Sequence, residues 1–144
     1  MQTWTYWTDS GELYAQSGNL FGTCYSGNGA GLNNPAMESV HKIGPLPAGY
    51  YQFGKFFDDL PPTPPDGLDH KGPHVCHLIS VETDGKGGWK PCDPPYNRLG
   101  LMEHGDNKFA DHSASEGCLI AARFIREATK TGDLLHVTYT GSTV

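Results

Sequence analysis

The stretch of this chain that decides its fold and its chemistry reads Leu99-Gly100-Leu101-Met102-Glu103-His104-Gly105 and, after residues 106–114, Ser115-Glu116-Gly117-Cys118. A short apolar run before a His-Gly turn predicts a strand that leads to His104. Cysteine attacks as the thiolate, and a nearby histidine can take the thiol proton. A glycine before the cysteine allows a sharp turn whose backbone N–H groups can stabilise an oxyanion. The pattern therefore favours Cys118 as a nucleophile and His104 as its general base.

The residues after the cysteine predict a helix. Residues 119–130 place apolar side chains at helical spacing, and Gly132 then provides a helix stop. A helix that starts directly after Cys118 would direct the positive end of its dipole at the thiolate. We therefore expect the main helix of the domain to begin at the nucleophile and to stabilise its charged form.

The remainder of the chain indicates short strands and turns. Residues 3–8 alternate polar and aromatic side chains, and residues 13–15 can return as the second strand of a hairpin. Further strands are predicted at residues 50–53, 75–81, 99–102 and 134–139. The 19 glycines and 11 prolines indicate many turns. Since 144 residues without a long linker fit one domain, we expect a single, mainly β domain over residues 1–144 with one main helix.

Charge and hydropathy exclude several classes of protein. The formal net charge is −6 and no lysine or arginine cluster is present, which argues against a nucleic-acid partner. No apolar run approaches the roughly 18 residues of a membrane span. The N-terminal residues have neither the basic region nor the apolar core of an export signal. We therefore expect synthesis in the cytoplasm without a signal peptide.

Two upstream segments extend the motif, and they read Tyr25-Ser26-Gly27-Asn28-Gly29 and Ile43-Gly44-Pro45-Leu46-Pro47-Ala48-Gly49-Tyr50-Tyr51. Together with the His-Gly and Gly-Cys turns, they resemble the catalytic domain of L,D-transpeptidases. They are most similar to a small antibacterial branch of that family, whose members are toxins delivered into rival bacteria by type VI secretion. The matching blocks run in order from about residue 25 to residue 126. Two positions depart from the family pattern, because Glu116 stands where histidine is usual and Ile120 where arginine is frequent.

The resemblance implies a fold, a reaction and a place of action. The fold would be a β-sandwich or barrel-like L,D-transpeptidase domain. Cys118 would attack the carbonyl of the third residue of a peptidoglycan tetrapeptide stem, a diamino acid, and expel the terminal D-residue without cofactor or metal. Water, another diamino acid or a free D-amino acid would take the acyl group, and a carbapenem would acylate the same thiol. The implied partners are these stems, the type VI secretion apparatus and a periplasmic immunity protein, and the protein would act in the periplasm of a target cell.

The other residues of the motif each have two interpretations. Ser115 would orient His104 or bind substrate, or it would be a turn serine. Glu116 would orient the imidazole or bind a cationic diamino-acid side chain, or it would be a solvated loop acid. Arg123 would pair with a substrate carboxylate, or it would be a solvated helix residue. Backbone contacts near the oxyanion are expected from two glycines, Gly117 and Gly105.

Two rival hypotheses use other residues. A zinc-dependent peptidoglycan amidase or peptidase would take its ligands from His70, His74, Cys76 and His77. Against it, Gly72-Pro73 would break a helix that aligned the first two histidines, and neighbouring residues of a strand face opposite sides. A non-catalytic wall-binding module would stack aromatic rings on sugars, and the rings available are those of Trp4, Tyr6 and Trp7.

The cysteines leave two redox states open. If Cys118 stays free for catalysis, three others remain, namely Cys24, Cys76 and Cys92. Cys76 and Cys92 form a disulfide in an oxidising periplasm, or all three are reduced thiols.

Overall fold

The computed structural model describes residues 1–107 and 111–144, and it confirms the mainly β prediction. The strands are β1 (Thr3–Trp7), β2 (Glu12–Tyr14), β3 (Leu20–Thr23), β4 (Tyr25–Ser26), β5 (Gly49–Phe53), β6 (Phe57–Asp59), β7 (Gly72–Thr83), β8 (Trp89–Pro91), β9 (Met102–His104), β10 (Leu119–Ile120) and β11 (Leu134–Thr138). Within the described residues the α-helix is α1 (Arg123–Ala128). No helix in these two ranges has the length and apolar character that crossing a membrane requires.

The strands form one 11-stranded sheet in the order β3-β2-β1-β11-β5-β7-β9-β10-β4, and β6 and β8 also pair with β7. Two neighbouring pairs, β1 with β11 and β9 with β10, are parallel, whereas the other pairs are antiparallel. The 12-residue strand β7 pairs with four strands along its length, namely β5, β6, β8 and β9. It therefore joins the part of the sheet around β1 and β11 to the part that carries the His-Gly and Gly-Cys turns.

The alternation of β1 fills the core as the sequence predicts. Trp4 and Tyr6 are buried, while the alternate residues Thr3, Thr5 and Trp7 are half-buried on the other face of the strand. A buried hydrogen bond joins the chain ends, because Trp4 Nε1 donates to Asp133 Oδ2 at 3.0 Å. The same carboxylate accepts from the backbone N–H of Gln2 and that of Lys130. Asp133 therefore holds the first strand beside the last.

The predicted helix over residues 119–130 is wrong at its start. Leu119 and Ile120 form β10, which pairs parallel with β9 and antiparallel with β4, and both side chains are buried. The helix begins only at Arg123 and has six residues. Burial of two consecutive apolar side chains within the sheet outweighs the weak helical preference of the segment. Cys118 therefore precedes a strand, and no helix dipole stabilises its thiolate.

The parallel pairing of β9 and β10 brings the two turns of the motif together. Ile120 lies opposite His104 and Leu119 opposite Glu103 in this pairing. Cys118 consequently enters β10 at the level of Met102, two residues before His104. The registry of two short strands thus sets the positions of nucleophile and base.

The disulfide alternative is wrong in this structure, since all four cysteines are free. Cys92 lies beside Ser80, with its backbone N–H donating to the Ser80 carbonyl at 3.0 Å. Cys76 lies four residues earlier in the same strand, about 13 Å away at the usual rise of a strand. That distance is about twice what a disulfide can span between Cα atoms.

Candidate active site

His104 occupies the end of β9 with a defined tautomer. Its side chain is buried, and Nδ1 lies 2.7 Å from the carbonyl oxygen of Gly105. A carbonyl can only accept, so Nδ1 carries the proton and donates it. Nε2 is then the unprotonated nitrogen, and it has no hydrogen-bond partner among the described residues. The imidazole thus presents a free acceptor, which is what a general base requires.

Both reacting groups are neutral near pH 7. Burial lowers the pKa of His104 from 6.5 to about 4, so the imidazole carries no charge. Burial also raises the pKa of the Cys118 thiol above its usual value. The resting pair is therefore a thiol and an imidazole. Proton transfer to His104 must accompany the attack on the substrate.

The two residues line one cavity of about 880 Å³. Its wall includes Gly105 and the exposed side chain of Glu116, two other residues of the predicted site. Another part of the wall comes from the loop between β6 and β7 and includes Pro61, Pro65, Asp66, Leu68, His70 and Lys71. This volume matches that of pockets that hold small ligands.

Ser115 organises the turn that presents Cys118. Its buried Oγ accepts from the N–H of Gly27 at 2.8 Å and from the N–H of Gly117 at 3.1 Å. The hydroxyl proton goes to the Cys118 carbonyl at 2.7 Å. All of its hydrogen-bonding capacity is thus engaged by backbone groups. Ser115 thus makes the contacts of a turn serine, and its hydrogen bonds go to Gly27, Gly117 and Cys118 rather than to His104.

Arg98 is a site residue that sequence reasoning missed. Its buried guanidinium donates to the carbonyl oxygens of Glu38 at 2.7 Å, Gly44 at 3.0 Å and Glu116 at 3.0 Å. These bonds tie the Gly-Cys turn to the loop before β5. Gly117 has φ +128°, and a Cβ there would lie 2.2 Å from Arg98 Nη2. Glycine is therefore required at this position by space as well as by backbone conformation.

A second buried arginine, Arg126, packs against the His-Gly turn. Arg126 donates to the carbonyl oxygens of Pro73 at 2.9 Å and His74 at 3.0 Å, and also to that of Ala121. A Cβ on Gly105 would lie 3.0 Å from Arg126 Nη1. In the linear sequence, neither Arg98 nor Arg126 differs from a surface arginine. Only their long-range carbonyl partners reveal the role.

Arg123 does not line the cavity. Its side chain is 63% exposed at the start of α1, and Nε lies 3.5 Å from Glu127 one turn later. Arg126, three residues later, is buried against backbone carbonyls. The structure thus places Arg123 in solvent at the start of the helix, outside the residues that line the cavity.

The rival constellations are dispersed. His70 contacts Asp59 and Asp66 at 2.9 Å each, whereas Cys76 is buried and His77 is exposed on the opposite face of β7. Within residues 1–107 and 111–144, no three histidine, cysteine or acidic side chains are grouped to hold a metal ion. The hypothesis of a wall-binding module needs exposed aromatic rings, but two of the three rings, those of Trp4 and Tyr6, are buried.

The pH dependence of the reaction should report the His104 imidazole. Since the pKa of His104 is lowered to about 4, its base form persists from neutral pH down to that value. We expect kcat/KM for a tetrapeptide stem to fall on the acid side with an apparent pKa near 4. His104→Gln should lower the rate of acylation by about 10²–10⁴-fold, since a positioned base contributes that much.

Glu103 provides the control for this profile. It is buried beside His104, and burial raises its pKa to about 7. Glu103→Gln removes this carboxyl, the second group that titrates near the site. The decrease of kcat/KM near pH 4, which we assign to His104, should remain. An acid limb near 6.5 in both proteins would contradict a buried, neutral base at His104.

Known proteins resemble this chain in sequence family and in fold. A family model described as the Tlde1 domain matches residues 22–140. The fold is similar to the crystal structure of L,D-transpeptidase 1 from Mycobacterium tuberculosis, with a TM-score of 0.50 and 11% identity over 95% of this chain and 58% of that one. The chain thus spans less than two thirds of that protein, and no curated protein matches its sequence. This chain belongs to the Tlde1 domain family, a family of type VI secretion effectors with an L,D-transpeptidase-like fold.

Proposed function

We propose that this protein is an antibacterial effector that cuts or exchanges the ends of peptidoglycan stem peptides through a cysteine acyl-enzyme. The observation that carries the proposal is that His104, whose buried Nε2 has no hydrogen-bond partner among the described residues, lines the same cavity as Cys118. The family supports a substrate in peptidoglycan. The activity is that of an L,D-carboxypeptidase, an L,D-transpeptidase or both.

In the first step the thiol of Cys118 gives its proton to His104 Nε2. The sulfur attacks the carbonyl carbon of the third stem residue, and the carbonyl oxygen becomes an oxyanion. The Gly117 N–H already donates to Ser115 Oγ, so we assign the stabilisation of that charge to the backbone N–H of Cys118. The peptide C–N bond then breaks, the imidazolium returns the proton to the departing amine, and the terminal D-residue leaves. A thioester on Cys118 remains.

In the second step an acceptor replaces the sulfur. Water gives a shortened tripeptide stem, the amine of another diamino acid gives a crosslink, and a free D-amino acid gives an exchanged tetrapeptide. The neutral His104 takes the proton from each acceptor and returns it to the departing thiolate. Glu116, exposed in the cavity wall, supplies an anion that can bind the ammonium group of the diamino acid.

The proposed place of action is the periplasm of a competing bacterium. The substrate lies outside the cytoplasmic membrane, and the family is one of type VI secretion effectors. A producing cell then needs an immunity protein in its own periplasm. The immunity protein would inhibit the effector most simply by covering the cavity around His104 and Cys118.

Mass spectrometry of muropeptides tests the activity directly. Purified protein incubated with disaccharide tetrapeptides should yield tripeptides and free terminal D-residue, and added D-methionine should appear at position four. Activity in EDTA should equal activity without it, because the thiol and the imidazole need no metal. Release of the intact stem from the sugar, with loss of activity in EDTA, would favour the zinc amidase and contradict the proposal.

A further inference from the structure

The wall of the cavity includes a half-buried cation with no ion-pair partner among the described residues. The lysines and arginines of the described wall are Lys42, Lys71 and Arg98. Arg98 donates to backbone carbonyls, as described above. Within the described chain neither lysine takes part in an ion pair, but Lys42 is exposed to solvent whereas Lys71 is half-buried. Asp106, a nearby carboxylate, already accepts from the Tyr25 hydroxyl at 2.7 Å.

Lys71 is held against the catalytic turn through its backbone. Its N–H donates to Asp59 Oδ2 at 2.8 Å, and its carbonyl accepts from the N–H of Gly105 at 3.2 Å. Gly105 directly follows His104, so the half-buried Lys71 has a fixed place beside the base. Lys71, His104 and Cys118 also line the same cavity. Burial has the largest effect on the pKa of His104 and on that of Cys118, and the positive charge of Lys71 adds a smaller lowering to each.

We infer that the Lys71 ammonium group forms an anion subsite that binds a carboxylate of the peptide whose carbonyl Cys118 attacks. The inference rests on the proposed function and fills the role that Arg123 cannot take. An unpaired, half-buried cation gains most from an anionic ligand, because the cavity wall screens the interaction less than water does. A tetrapeptide stem carries three such groups, namely the terminal carboxylate of the D-residue, the side-chain carboxylate of a diamino acid such as diaminopimelate, and the free α-carboxylate of the γ-linked isoglutamate at position two.

Two small alkylating agents test the subsite without any peptidase activity. Iodoacetate and iodoacetamide both form a carbon–sulfur bond with the Cys118 thiolate and release iodide, but only iodoacetate carries a negative charge. The ratio of their rate constants therefore measures the attraction of an anion to the thiol, and changes in the thiolate fraction cancel. Cys92 is replaced by alanine in every protein compared, so that its half-buried thiol does not react.

In Lys71→Ala the ratio of iodoacetate to iodoacetamide rates should fall about fivefold, the order expected when one nearby unit charge is removed. Lys71→Arg should keep the ratio, because it keeps the charge. The matched control is Lys86→Ala, which removes an exposed charge from the turn before β8, outside the cavity. The bonds that hold residue 71 use backbone atoms, so the variant keeps them, and an unchanged melting temperature checks this. A ratio that does not change in Lys71→Ala overturns the subsite, even if the protein cleaves stems.

Four peptides identify the carboxylate. With a diaminopimelate tetrapeptide, Lys71→Ala should raise KM about tenfold and change kcat little. Three variants of this peptide each lack one carboxylate: one has a C-terminal amide, one has lysine as the third residue, and one has isoglutamine as the second residue. The variant on which Lys71→Ala has no effect marks the group bound. Equal losses on all four peptides would show a structural role and overturn the inference. If no peptide is cleaved, the proposed function fails while the alkylation ratio still decides the subsite.

Discussion

Replacement of Cys118 by alanine should abolish tetrapeptide turnover, a loss of at least about 10⁴-fold. The change removes the only atom that can form the acyl-enzyme, and no other group in the proposed mechanism replaces a covalent nucleophile. The fold should be preserved, because Cys118 is only half-buried and its Sγ makes a weak contact of 3.9 Å with the Gly100 carbonyl. The measurement is tripeptide formation from a disaccharide tetrapeptide, with the melting temperature as the check on folding.

The matched control is Cys92→Ala. Cys92 is a half-buried free thiol outside the cavity, with its Sγ 3.5 Å from Ser80 Oγ. This variant should keep full activity and should still gain the mass of one carbapenem on Cys118. Cys118→Ala should gain none. Full turnover by a folded Cys118→Ala protein would exclude the cysteine mechanism.

Expression in the periplasm should be toxic, whereas expression in the cytoplasm should be nearly harmless. The proposed substrate, a mature tetrapeptide stem in the wall, is present only outside the cytoplasmic membrane. Fusion to a periplasmic export signal should therefore cause swelling, division defects or lysis, and colony counts should fall by several orders of magnitude. The measurement is the growth of one bacterial strain that expresses either the exported or the cytoplasmic protein at matched levels.

Two variants separate wall damage from a general burden of secretion. The exported Cys118→Ala protein should be harmless because it cannot form the acyl-enzyme, and the exported Cys92→Ala protein should be as toxic as the native sequence. Toxicity that is equal in both compartments, or that persists in Cys118→Ala, would contradict a wall-directed cysteine enzyme. A protective periplasmic protein from the producing bacterium should suppress the killing if it covers the cavity.

Local pattern predicted those features that depend on neighbouring residues. The alternation of Trp4 and Tyr6 with polar residues predicted β1 and its buried face, which the structure confirms. The same alternation placed Cys76 and His77 on opposite faces of β7, and one is buried while the other is exposed. The His-Gly and Gly-Cys turns indicated a candidate pair, since turn chemistry and residue type are visible in a few consecutive letters. The sequence by itself thus determined the fold class, the family and the pair to test.

Tertiary structure decided everything that depends on distant partners. Residues 119–130 have a helical pattern, but pairing of β10 with β9 and β4 makes their first two residues a strand. Arg98 and Arg126 are buried because backbone carbonyls of segments far away in sequence accept their hydrogen bonds. Among the described residues Arg123 has no such partner, and it stays in solvent. Lys71 lies 33 residues before His104 in the chain, yet the Gly105 N–H binds its carbonyl. Hydrogen bonds and burial between segments far apart in sequence leave no local periodicity, so only the folded chain shows which charge faces the cavity.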